Sequence, residues 1–122
     1  MFTLKNNLYI FILGATLYSL IEIFWRGYSH LSMFILGGLS GLFLCKLSSS
    51  NQSIYILALY GTIGITFAEF VVGLTVNKLL KLNVWDYSGI PLNIMGQICP
   101  LYSLFWYILS FTVLIFFRKL YI

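Results

Sequence analysis

Four apolar runs dominate the chain, at about residues 8–25, 31–46, 54–76 and 100–117. Each is as long, or nearly as long, as a helix must be to cross about 30 Å of hydrocarbon. No other feature restricts the fold so strongly. In hydrocarbon every backbone N–H and C=O needs a protein partner, and a single segment supplies all of them only as a helix. The expected fold is all-α: a polytopic four-transmembrane-helix bundle, with residues 1–122 forming one integral membrane domain. Composition agrees, since 61% of the 122 residues are hydrophobic and only 8% are charged. A soluble domain carries about 25% charged residues.

The connections differ in kind. "RGYSH" is a short link with Gly27 to relax the backbone, and "LSSSNQS" (47–53) is a polar turn. Residues 77–99 are too broken for a span and too apolar for a free loop. Asp86, Ser88, Gly89 and Pro91 form turns there, while Trp85 and Tyr87 suit a membrane interface. A re-entrant or interfacial segment between the third and fourth helices is therefore expected. Pro100 opens the last helix, where its missing N–H is harmless. Gly37 and Gly41 are four apart, as are Gly64 and Ala68, and such small-residue faces let another helix approach closely.

A net charge of +4 comes from seven scattered basic residues and three acids. With no basic stripe, anionic lipid is the expected partner and nucleic acid is not. Lys5, Lys46, Arg118 and Lys119 would share one face with both termini, which the positive-inside bias makes cytoplasmic. No small-residue cleavage pattern follows Lys5, so the first helix reads as retained. Cys45 and Cys99 lack metal-like spacing and read as small buried hydrophobes.

Against this background the polar residues stand out. Glu22 and Arg26 are i, i+4 on one helix face, where they either form a structural ion pair or belong to a site. Glu69 lies deep in the third span and needs a partner or a proton, since an ionised carboxylate is costly there. Arg26 and His30 are the candidates in its leaflet. Two-fold crossing puts the 21–33 and 77–100 connections at one membrane face, so Glu22, Glu69 and Asp86 would converge at one end. His30 is either a helix-start or interface residue, or else a metal ligand or proton carrier. Asp86 is a turn acid or a site acid. Asn93 and Gln97 would bond a ligand or each other.

"YSLIEIFWRGYSHLSMFILGG" (18–38), Glu69, "VWDYSGIPLNIMGQIC" (84–99) and Trp106 resemble a family of small bacterial integral membrane proteins, the ABC-transporter permeases of type IV. The resemblance covers most of residues 18–106. It carries over to Glu22, Arg26, Gly27, His30, Met33, Glu69, Trp85, Asp86, Tyr87, Ser88, Asn93, Gly96 and Gln97. The chain departs from the pattern at Leu31, where tryptophan is expected, and at Pro100, where an aliphatic residue is expected. The resemblance implies a membrane-embedded transporter component in a bacterial cell membrane.

The leading expectation is a small permease or transporter component with a polar, acidic binding site formed by Glu22, Arg26, His30, Glu69, Trp85, Asp86, Tyr87, Asn93 and Gln97. It would act as a homo-oligomer or with another membrane protein. No phosphate-binding loop is present, so any ATP hydrolysis belongs to a separate ATPase chain. No motif names a cofactor, and one histidine excludes a multi-histidine metal site in a single subunit. Two other functions compete: a non-catalytic interaction or accessory protein, and an intramembrane enzyme acting on a lipid or polyprenyl substrate. The enzyme would use the same Glu, His and Asp residues as acids or bases, with Arg26 on a phosphate.

Overall fold

The structure, a computed structural model, describes the backbone of residues 4–120 and the side chains of residues 6–119. The Lys5 side chain, expected on one membrane face with Lys46, Arg118 and Lys119, lies outside the described residues. The fold is all-α. Helices α1 (Leu4–Arg26), α2 (Leu31–Ser48), α3 (Ile54–Gly73) and α4 (Pro100–Leu120) follow in order, and α3 continues as a π-helical segment, Leu74–Leu79. All four helices are long and apolar enough to cross a membrane. No strand occurs among the described residues, only an isolated antiparallel bridge between Ile94 and Ile98. The chain divides after Lys46 into two compact units.

In the first unit, α1 ends because Gly27 takes a left-handed φ of 86°, and its N–H closes onto the Ile23 carbonyl at 2.8 Å. That is the usual way to satisfy an open carbonyl at a helix C-terminus. Next, α1 and α2 meet backbone to backbone. A Cβ placed on Gly14 would stand 2.8 Å from the Gly37 carbonyl oxygen and 3.3 Å from the Gly41 Cα. A Cβ on Gly37 would stand 2.6 Å from the Tyr18 Cβ. The Gly37/Gly41 face, expected to admit another helix, thus receives α1 of the same chain.

In the second unit, Ser53 caps α3 by accepting the Tyr55 N–H at 3.2 Å. Helix α4 runs antiparallel to α3. Tyr55 meets Phe111 with ring centroids 5.1 Å apart, Thr66 bonds Ser103 at 3.1 Å, and Arg118 donates to the Ser50 and Gln52 carbonyls at 2.8 and 3.0 Å. Trp106, Ser110, Leu114 and Phe117 are the buried stripe of α4, at the spacing that keeps side chains on one helix face. The π turn shows in the Leu80 N–H, which bonds the Thr75 carbonyl five residues back at 2.9 Å. Lys81, at φ 55°, then ends the helix, with the Leu82 N–H on the Val76 carbonyl at 2.8 Å. The segment after it is a folded loop.

Candidate functional site

Glu69 sits on α3 with 1% of its surface exposed. Both carboxylate oxygens accept hydrogen bonds from neutral donors. The Tyr87 hydroxyl donates to Oε2 at 3.1 Å, and the Trp106 indole N–H donates to Oε1 at 3.3 Å. One donor comes from the loop and the other from α4, so three separate stretches of chain meet at this carboxylate. The Tyr87 ring stacks on Tyr102, with centroids 4.5 Å apart and planes at 7°. Tyr102 meets Phe105 edge-on at 5.5 Å.

One turn further along the same α3 face is Gly73, whose missing side chain leaves room for the loop. A Cβ there would stand 2.5 Å from Gln97 Oε1 and 2.9 Å from Trp85 Cζ2. Asn77, in the π segment, holds the loop from below. Its Nδ2 donates to Gln97 Oε1 at 2.8 Å, and its Oδ1 accepts the Val84 and Trp85 N–H groups at 2.7 and 3.3 Å. The Trp85 indole donates to the Gln97 carbonyl at 3.0 Å. Trp85, Tyr87 and Gln97 are all buried. The buried side chains of Asn77, Trp85, Tyr87 and Gln97 each have a partner, as a low-dielectric interior demands.

Other expected site residues turn inward on the loop's own backbone. Asp86 Oδ1 accepts the Ser88 N–H at 2.9 Å, an Asx turn. The Ser88 backbone N–H, then its side chain, hold the exposed Asp86 carboxyl below its ordinary pKa, with Lys78 adding to the effect. Asn93 donates to the Ser88 and Ile90 carbonyls and accepts the Gly96 N–H at 2.9 Å. Gln97 pairs with Asn77, and Asn93 with the loop backbone.

In the first unit, Glu22 pairs with Arg26, Nε to Oε2 at 2.5 Å, and accepts the Tyr18 hydroxyl on Oε1 at 2.8 Å. The Arg26 guanidinium lies 4.5 Å above the Tyr28 ring centre, a cation–π geometry. Exposed His30 caps α2. Its Nδ1 accepts the Ser32 N–H at 3.1 Å, while its carbonyl accepts the Met33 and Phe34 N–H groups. Among the described residues of either unit, no three His, Cys, Asp or Glu side chains are placed to hold a metal.

Sequence reasoning missed Asn77, Tyr102 and Tyr18 and took Trp106 only as part of a resemblance. Tyr18 had a signal, since it lies four residues before Glu22 on one helix face. Asn77 had none, because an asparagine after an apolar run reads as an ordinary helix end. The sequence pointed to cations as partners for Glu69, whereas a phenol and an indole bond it.

Four membrane-length helices and a carboxylate enclosed within one of them define a multi-pass membrane protein. The family model described as "Putative ABC-transporter type IV" matches residues 18–122. The chain belongs to that family. No curated protein and no solved structure matches it.

Proposed function

We propose that the chain is a small permease or transporter component of the cell membrane, with Glu69 as the acidic group of an intramembrane binding site. One observation carries this reading: a carboxylate buried within a membrane-length helix is held by donors from two other segments, one of them a loop. Such a group is costly to keep in a membrane, and intramembrane acids mark ion and substrate pathways. Tyr87 can leave Oε2 when the loop shifts, and a cation or the cationic group of a substrate can take its place. Trp106 holds the other oxygen in position meanwhile. In this reading the termini are cytoplasmic, a second membrane subunit or another copy completes the pathway, and a separate ATPase supplies any ATP energy.

The test is flux through proteoliposomes that carry a pH-sensitive dye under an imposed potential. The wild-type chain should dissipate a proton or monovalent-cation gradient, and folded Glu69→Gln should not. Equal flux from the two proteins rejects the site.

A second reading, a non-catalytic accessory protein, is favoured by the Asn77–Gln97–Trp85 network, which spends most of the polar side chains on folding the loop. It predicts that Asp86→Ala and Glu69→Gln reduce co-purification with a membrane partner while no flux is seen from either protein.

A further inference from the structure

The outer surface of the 80–99 loop does not look like a surface made for water. Leu92 is 80% exposed, Met95 58% and Ile94 53%, and Pro91 beside them is exposed as well. Leu92 and Met95 also hold left-handed backbone angles, φ 61° and 54°. That region suits glycine or asparagine and strains a residue with a large side chain. Neither side chain is buried to compensate the strain within the fold. Strain kept at exposed positions points to what the side chains do outside the fold.

The ends of the loop show what lies outside. It joins the π extension of α3 to the start of α4, and both helices have membrane-spanning length. Its surface is therefore within reach of the headgroups. Lys78 and Lys81 are exposed and outnumber Asp86, the one acid of residues 77–99. Leu79, Leu80 and Leu82 beside them are more than half exposed. Aliphatic side chains flanked by lysines suit an interface of acyl chains and anionic phosphates.

We infer that the Pro91–Met95 tip is a membrane-seated wedge, with Leu92, Ile94 and Met95 in the acyl boundary and Lys78 and Lys81 against anionic lipid phosphates. The occupant of this apolar surface is lipid, not protein. The wedge anchors the loop that carries Tyr87, and it stands whether or not Glu69 conducts anything.

Nitroxide depth measurement tests it. Single cysteines at 92, 94, 95 and, as a water-facing control, 51 are introduced into the full chain with Cys45 and Cys99 replaced. The proteins are reconstituted into vesicles of phosphatidylcholine with or without phosphatidylglycerol. Relaxation at 92, 94 and 95 should respond to oxygen more than to a water-soluble nickel complex, and at 51 the order should reverse. Dominant nickel access at 92 and 95 overturns the wedge. Shielding from both reagents overturns it too, by showing a protein cover such as a second copy. Lys78→Gln with Lys81→Gln should move the tip outward in phosphatidylglycerol vesicles only, and equal depth in both lipids removes the lysines from the proposal. The unsubstituted chain gives an independent check. Its Met95 should resist a water-soluble oxidant in vesicles, and oxidation as fast as that of free methionine refutes lipid seating.

Discussion

Glu69 shows how a single residue can be both costly and well supported. Its two oxygens are matched by a phenol and an indole, donors that also bring apolar surface to an apolar site. Tyr87→Phe keeps the ring on Tyr102 and removes only the hydroxyl. Hydrogen bonds inside membrane proteins are worth about 0.5–2 kcal/mol, so the variant should lose stability in that range in a reversible detergent-unfolding titration. Glu69→Ala should lose more, since it strands two donors at once. Asp86 works differently. Its carboxyl is held below the ordinary value by Ser88, so the charged form is the one the folded loop favours. The turn's contribution is full above the ordinary Asp range near pH ~4 and is lost as pH falls through the lowered folded value. Protection of the Ser88 amide from exchange, taken relative to its intrinsic rate at each pH, should fall over that acid interval, and Asp86→Asn should abolish this fall.

At the scale of elements, glycines decide where helices and loop can meet. Gly73 leaves the space that Gln97 and Trp85 occupy, and Asn77 is aimed at the loop from the π segment. A π turn places residues differently from an α turn and is found often at functional sites. Gly73→Ala should displace Gln97 or Trp85, costing about 1–3 kcal/mol through overpacking. It should also loosen Tyr87 on Glu69, read as faster labelling of Glu69 by a hydrophobic carbodiimide than in the wild type. In the first unit, Gly37→Leu should separate α1 from α2, because Tyr18 and the Gly14 backbone already fill the site. Loss of the monodisperse detergent peak on size exclusion would show it.

At the scale of the molecule, the function proposed above, for a chain of the family described as ABC-transporter type IV, puts any ATP hydrolysis on a separate chain. Purified protein should show background ATP hydrolysis, and turnover should appear only when a separate ATPase is added. ATPase activity of the chain alone would contradict this division. Four helices and their apolar character were readable from the sequence because hydrocarbon imposes a length and a composition on any segment that crosses it. The turns at Gly27 and Pro100 were readable for a similar reason, since their backbone chemistry is local. The i, i+4 pair of Glu22 and Arg26 was readable because helix geometry alone brings it together.

Tertiary structure decided the rest. Gly37 and Gly41 advertised a close helix contact, but only packing showed that the contact is α1. For Asp86 the sequence left a turn acid and a site acid open, and the folded loop has the turn bond to Ser88, while Asn93 bonds the Ser88 and Ile90 carbonyls. Tyr87 and Trp106 reach Glu69 from positions 18 and 37 residues away. No periodicity connects residues so far apart. Such contacts depend on how the loop is laid against α3, and that is set by side-chain packing and hydrogen bonding in three dimensions, which a one-dimensional pattern does not encode.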